Sequence, residues 1–166
     1  MCFLSQTKSI LVSRQKVQLT RKGADEILAK LYANAQLIQD YKIALDDGRA
    51  HGLIVDLASD KSEGFGPTSL ELCVMSHAGC YATIFALTAA KMRIPLKGLE
   101  VKVEAVKTDA AGTITEEKFD IVIQTDAQDD RIKRCHELTL NCPVGKIFEK
   151  AGIKITYNLK RMETNE

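Results

Sequence analysis

The spacing of apolar and polar residues predicts a long central helix in the middle of the chain. The stretch from 69 to 92 is apolar on every side, apart from Glu71 near its start and Lys91 at its end. An acidic first turn and a basic last turn suit the helix dipole, and an apolar surface all round is typical of a buried helix. We therefore expect a buried helix over 67–92.

The segments that follow alternate apolar and polar residues with a period of two, which is the pattern of half-buried strands. Strands are expected over 99–105, over 119–124 as its partner across a loop, and over 153–159. Between the last two, Asp129 or Asp130 can cap a helix. The inner face of that helix would carry Ile132, Cys135 and Leu138.

Upstream of the central helix the pattern predicts a short helix and a hairpin. Apolar residues recur at helical spacing from Gly23 to about Asn34, which predicts a short amphipathic helix. Two segments with strand character, 36–45 and 52–57, flank the residues 46–48. Because an Asp-Gly pair lies in that gap, a turn joining the two strands is expected.

These elements predict a single α+β domain in which antiparallel sheets wrap around the central helix. Its 166 residues suit one domain. A helix this apolar needs more cover than one chain offers, which favours a homodimer. The expected parts are an N-terminal extension with a short helix (1–35), a β-hairpin (36–60), the central helix (67–92), and strands with a final Cys-Pro helix (99–160).

Composition and charge exclude several classes of function. Basic and acidic residues number 23 and 22, for a net charge of +1, whereas nucleic-acid-binding proteins usually carry a strongly basic face. No window approaches the roughly 20 consecutive apolar residues of a membrane span. The N-terminus also lacks the pattern of a secretory signal. We expect a cytoplasmic protein that binds neither nucleic acid nor membranes.

Five cysteines are the main candidates for chemistry. In a reducing compartment a structural disulfide framework is unfavoured, which leaves reactive thiols, metal ligands or buried packing residues. Cys2 and Cys135 have no informative neighbours and are expected to be incidental. The cysteines are Cys2, Cys73, Cys80, Cys135 and Cys142.

Cys142 has the most informative local setting. It precedes Pro143, and proline favours the first turn of a helix, which would end near Gly152. A cysteine at a helix N-terminus meets free backbone N–H groups and the positive end of the helix dipole, which favour the thiolate. The alternative is that Asn141 caps the helix and Cys142 only fills space.

Cys80 lies within the central helix, on the same face as Cys73 and His77, because the three are spaced four and three residues apart. Two thiolates and an imidazole could bind zinc or another soft metal. They could also form a peroxide-reactive thiol with a nearby proton donor. The third alternative is plain packing, with His77 hydrogen-bonded to a partner chain.

Two motifs resemble the OsmC/Ohr family of osmotically inducible and organic hydroperoxide resistance proteins. The segment 66–80, GPTSLELCVMSHAGC, resembles the opening of the family's central helix, which ends at its first reactive cysteine. The segment 139–148, TLNCPVGKIF, resembles the family's second site, a Cys-Pro-Val helix start. Between them, 94–104 resembles the family's helix-to-strand passage, and the match spans 66–159.

The resemblance implies an OsmC-like fold, an intertwined homodimer with sites at the subunit interface, and a thiol peroxidase without cofactors. Cys80 would attack an organic hydroperoxide, releasing an alcohol and leaving a sulfenic acid. Cys142 would then form a disulfide with Cys80, and an external dithiol would reduce it. This is ordinary, peroxiredoxin-like thiol oxidation.

The chain departs from the family pattern around the first cysteine. Peroxidase members carry a glutamate ten residues before it and an arginine that together activate the thiol. Leu70 occupies that position here, Ser69 stands where proline is usual, and Glu71 matches the broader family. We take Glu71, Arg49 and His77 as supporting residues, with Arg49 the best arginine candidate ahead of Arg14 and Arg21. On a continuous helix Glu71 would lie on the face opposite Cys80, so the alternative is that it only provides a charge at the helix start.

A second hypothesis keeps the same fold without peroxidase activity. The protein would then hold a metal ion or a small hydrophobic ligand at the face formed by Cys73, His77 and Cys80. The two hypotheses differ in a measurable way, since only the second predicts a bound metal that is lost with Cys73.

Overall fold

A computed structural model describes residues 19–22, 26–57 and 64–162. The chain divides into two compact units, Met1–Ser69 and Leu70–Glu166.

The described residues of the N-terminal unit form two small antiparallel sheets. The first pairs β1 (Leu19–Lys22) with β2 (Glu26–Ala29). The second has three strands in the order β3-β4-β5, comprising Asn34–Gln39, Lys42–Asp46 and Gly52–Val55.

The short helix predicted for residues 23–34 is wrong, because residues 26–29 form β2. An isolated helix of about a dozen residues is marginal in water. Pairing with the nearby β1 satisfies the same backbone groups, and the ladder closes with Lys22 opposite Glu26.

The strand predicted over 36–45 is divided into two strands by a turn at Asp40, whose φ is 50°. Aspartate tolerates this left-handed conformation better than most residues. Apolar residues keep alternating across Asp40, so the pattern gave no sign of the turn.

The hairpin predicted around the Asp-Gly pair is confirmed: β4 and β5 pair antiparallel. Gly48 has a φ of 70° and donates its N–H to the Asp46 carboxylate at 2.7 Å.

A close backbone approach explains the glycine of the Gly66-Pro67 pair. A Cβ on Gly66 would overlap the carbonyl oxygen of Ile54 in β5. The loop is held there by the Asp56 N–H, which donates to the Pro67 carbonyl at 3.1 Å.

Gly66→Ala is therefore expected to destabilise the N-terminal unit by about 1–3 kcal/mol, because backbone rather than a flexible side chain must give way. Urea unfolding monitored by circular dichroism measures the change. An unaltered midpoint would show that the loop does not pack against β5 in this way.

The C-terminal unit combines three helices with a three-stranded sheet. It is built from α1 (Ser69–Lys91), β6 (Leu96–Thr108), β7 (Thr113–Thr125), α2 (Asp129–Thr139), α3 (Pro143–Lys150) and β8 (Lys154–Arg161). The predicted central helix, the predicted strand pair and the Cys-Pro helix are all present.

The sheet has the order β6-β7-β8, and its pairing is only partly as predicted. β6 and β7 form an antiparallel hairpin, whereas β8 runs parallel to β7. The prediction of antiparallel pairing throughout is therefore wrong. Two helices lie between β7 and β8, and a helical crossover returns the chain to the same end of the sheet, which makes the two strands parallel.

The core of this unit lies between α1 and the sheet. One row of α1, spaced by four residues, is buried against the inward residues of β7. The α1 row is His77, Tyr81, Phe85 and Ala89, and its partners in β7 include Phe119, Ile121 and Ile123.

The expectation that α1 is buried on every side is wrong for the single chain, since Met75 is 56% exposed and Leu87 53%. By length and composition, α1 is apolar enough to cross a membrane. A helix that packs a soluble core passes the same test, so this property does not assign α1 to a membrane.

Two details of α2 also differ from prediction. Its N-cap is Gln128, without a side-chain cap hydrogen bond, rather than Asp129 or Asp130. Its inner face carries Thr139 rather than Leu138, which is 39% exposed. The helix turns by 100° per residue. Thr139, four residues after Cys135, therefore lies closer to the buried face than Leu138, which is three residues after it.

Candidate functional site

Cys142 lies at the start of α3, as the Cys-Pro sequence predicts. It is the N-cap residue, with an extended backbone, and Pro143 occupies the first helical position. Its Sγ accepts a hydrogen bond from the Gly145 N–H at 3.2 Å. The alternative in which Asn141 caps the helix is excluded, and the Cys142 side chain is 2% exposed.

Cys80 lies in the middle of α1 and is half-buried. Its thiol is close enough to the Cys142 thiol to raise the pKa of that group. Two cysteines that are far apart in the sequence are therefore brought together where α1 meets the N-terminus of α3.

The environment of Cys142 raises the pKa of its thiol to about 11. Burial is the largest cause, the Gly145 N–H acts in the opposite direction, and the neighbouring Cys80 thiol raises the pKa further. The prediction that the helix N-terminus favours a thiolate is thus overturned. The helix end does lower the pKa, but loss of hydration outweighs it.

This raised pKa makes stability depend on pH. The ordinary thiol value is 9.0, so the folded protein retains the proton at pH values where the unfolded chain has lost it. The associated stability is fully present below pH 9 and is lost as pH rises through about 11, by about 3 kcal/mol in total at 1.36 kcal/mol per pKa unit.

Urea unfolding at a series of pH values measures this loss. Cys142→Ser removes the titrating group and should make the slope between pH 9 and 11 shallower. Part of the slope should remain, because burial also raises the pKa values of Cys135, Tyr81 and Tyr157. An identical slope in the variant would contradict the assignment to Cys142.

His77 is completely buried beside the two thiols. Its Nδ1 lies 2.6 Å from the Glu117 Oε2, and both side chains are 0% exposed. Its ring contacts Phe119 and Phe148, each with ring centroids 4.7 Å apart. The alternative that His77 bonds to a partner chain is therefore not needed, because Glu117 of the same chain is its partner.

Sequence reasoning missed Glu117, although a signal for it exists. The inward residues of β7 alternate, and counting back from Ile121 and Phe119 by two reaches Glu117. A carboxylate at an inward strand position needs a partner, because burying an unpaired charge is costly. The alternation therefore identifies Glu117 as a candidate, but not which side chain it meets.

The surroundings of the other predicted site residues are as follows. Glu71 is exposed in the first turn of α1. Arg49 belongs to the N-terminal unit, where its Nη2 pairs with the Asp47 carboxylate at 2.6 Å. Cys73 is exposed. Among the described residues no group of three or more His, Cys, Asp or Glu side chains could hold a metal ion, so Cys73, His77 and Cys80 do not form one.

Solved structures share this fold. An OsmC-like protein from Mycoplasma pneumoniae is 18% identical, with a TM-score of 0.71 over 81% of this chain and 98% of its own. The organic hydroperoxide resistance protein OhrB of Bacillus subtilis is 17% identical, with a TM-score of 0.56 over 79% and 98%. An organic hydroperoxide resistance protein from Elizabethkingia anophelis is 14% identical, with a TM-score of 0.57 over 81% and 98%.

No curated protein matches the chain in sequence. The family model described as OsmC-like protein matches residues 59–158, more than half of the chain. This match covers α1 and both cysteines of the site, and it confirms the resemblance noted in the two motifs. The chain therefore belongs to the OsmC-like family.

Proposed function

We propose that the protein reduces organic hydroperoxides with Cys80 and Cys142 as its redox pair. The observation that carries this proposal is the interaction between the two thiols, one from the middle of α1 and the other from the N-cap of α3. Hydroperoxide resistance proteins with the same fold add support.

The first step uses Cys80, which is the more accessible of the two thiols. Its thiolate attacks the distal oxygen of the hydroperoxide, and the O–O bond breaks. The alkoxide leaves as an alcohol after taking a proton, and Cys80 is left as a sulfenic acid.

The second step joins the two cysteines. The Cys142 sulfur attacks the Cys80 sulfur, the S–O bond breaks, and water leaves as the disulfide forms. An external dithiol then reduces the disulfide and restores both thiols. This cycle suits the cytoplasm, where thiols are kept reduced, and it needs no metal or organic cofactor.

We also propose that the protein acts as a homodimer with its sites at the subunit interface. The apolar side of α1 that the chain leaves exposed, including Met75 and Leu87, is the surface that a second copy would cover. Light scattering tests this, and a monomer at micromolar concentration would contradict it.

The redox proposal is tested by mixing the reduced protein with cumene hydroperoxide and dithiothreitol and following peroxide loss. In parallel, a short peroxide pulse without dithiothreitol is followed by alkylation and mass spectrometry. We expect turnover together with a disulfide between Cys80 and Cys142. Peroxide loss no faster than with dithiothreitol alone, or a protein that keeps both thiols after the pulse, would refute the proposal.

A further inference from the structure

Two polar atoms in the core of the C-terminal unit have no hydrogen-bond partner among the described residues. They are Nε2 of His77 and Oε1 of Glu117, and both side chains are fully buried. A buried polar atom without a partner costs on the order of 1–3 kcal/mol. An apolar side chain between Phe119 and Phe148 would avoid that cost. Packing alone therefore does not explain why this position is a histidine.

The unpartnered nitrogen lies on the side of Cys142. A Cβ added to Gly145 would stand 3.0 Å from the His77 Nε2 and 3.0 Å from the Cys142 Sγ. By the triangle inequality, the nitrogen and the sulfur are therefore at most about twice that distance apart. A proton can pass between such atoms after a small side-chain movement or through one water molecule.

We propose that His77, held in position by Glu117, is the base that removes the proton from the Cys142 thiol when Cys142 attacks oxidised Cys80. The Glu117 carboxylate binds Nδ1, which keeps that nitrogen as the donor and leaves the lone pair of Nε2 free. The side chains thus follow one another from the Glu117 carboxylate, through the His77 ring and the Cys142 thiol, to the electrophilic sulfur of Cys80.

The proton and electrons balance within this step, which rests on the redox function proposed above. Nε2 takes the Cys142 proton, and the sulfur electron pair forms the S–S bond to Cys80. The Cys80 S–O bond breaks, and the departing hydroxide takes the proton from Nε2 and leaves as water. His77 returns to its starting state, and the oxidant is the hydroperoxide already consumed by Cys80.

The surroundings of Cys142 explain why a base is useful there. Loss of its proton to solvent would leave an unpaired anion in an apolar site, which burial opposes. Transfer to His77 keeps the proton within the buried cluster, and the imidazolium would be flanked by two negative groups, the thiolate and the Glu117 carboxylate. The transfer therefore creates no new net charge in the core.

The test separates the two chemical steps. Reduced protein is mixed rapidly with cumene hydroperoxide, dimedone traps the Cys80 sulfenic acid, and mass spectrometry quantifies the disulfide over time. In His77→Gln we expect Cys80 to be oxidised at the wild-type rate, whereas disulfide formation at pH 7 slows by about 10²–10⁴-fold, the usual contribution of a general base. The sulfenic acid should accumulate in this variant.

The pH profile distinguishes a base from a structural residue. Without His77, disulfide formation should rise about tenfold per pH unit, since Cys142 must then lose its proton to solvent, while the wild-type rate should vary much less. Glu117→Gln, which keeps a hydrogen bond to Nδ1 but not the charge, should give a smaller loss than His77→Gln. Wild-type disulfide rates in both variants would overturn the proposal.

Gly145→Ala provides a second route that keeps His77 and Glu117. Its methyl group would separate Nε2 from Sγ, so disulfide formation should slow while Cys80 oxidation is unchanged. Lys150→Ala, a change at an exposed position of the same helix, is the control, and it should behave as wild type. A normal disulfide rate in Gly145→Ala would count against His77 as the base.

Failure of wild-type Cys80 to be oxidised at all would instead refute the redox function itself.

Discussion

A Cys80→Ser variant is expected to lose organic hydroperoxide reduction completely, down to the rate of dithiothreitol alone. Serine keeps the size and a hydrogen-bonding group, but its oxygen cannot form a sulfenic acid, so neither the oxidation nor the disulfide step can occur. Because Cys80 is only half-buried in α1, the fold should tolerate the change. Peroxide consumption in the presence of dithiothreitol measures the effect.

Cys135→Ser is the matched control for this experiment. Cys135 is a buried free cysteine of the same unit, and its thiol donates to the Phe85 carbonyl at 3.8 Å rather than to either cysteine of the pair. This variant should keep its activity, at some cost in stability. If Cys80→Ser retained activity while Cys135→Ser lost it, the reactive thiol would have been assigned to the wrong cysteine.

Phe119→Ala is expected to lower the free energy of unfolding by about 3–5 kcal/mol, the usual range for removing a buried aromatic ring. Phe119 is 0% exposed at the centre of β7. Its ring lies between others, with centroids 4.7 Å from His77, 5.0 Å from Tyr157 and 5.5 Å from Tyr81. The loss is a large share of a total stability of roughly 5–15 kcal/mol.

Urea unfolding followed by circular dichroism measures this change. Val106→Ala on the neighbouring strand β6 is the control, since Val106 is 46% exposed and its truncation should cost only about 0.5 kcal/mol. A loss below about 1 kcal/mol for Phe119→Ala would mean that the ring does not hold α1 against the sheet. Because Phe119 also contacts His77, the variant should disturb the thiol site as well.

The local elements were predictable where one signal dominated. The apolar run of α1, the alternation in β6 and β7, and the Cys-Pro start of α3 each depend on residues close in sequence, and each is observed. The short helix expected over residues 23–34 failed because weak helical spacing competed with pairing to β1, a contact that no local pattern reveals.

The site was predictable only in part. Two sequence motifs identified Cys80 and Cys142 as a pair, and the position of Cys142 at a helix N-cap followed from Pro143. The direction of its pKa did not, because the helix end and burial act in opposite directions and the extent of burial depends on the packing of α1 and α3.

The sequence by itself determined the family, the central helix and the position of Cys142 at a helix start, since each rests on residue types at short spacings. Only the tertiary structure decided that β8 runs parallel to β7 and that one face of α1 is left uncovered. It also decided that Glu117 reaches His77 across 40 residues. Contacts of that kind depend on how the sheet and the helices pack. The alternation along a strand indicates only on which face of the sheet a side chain lies.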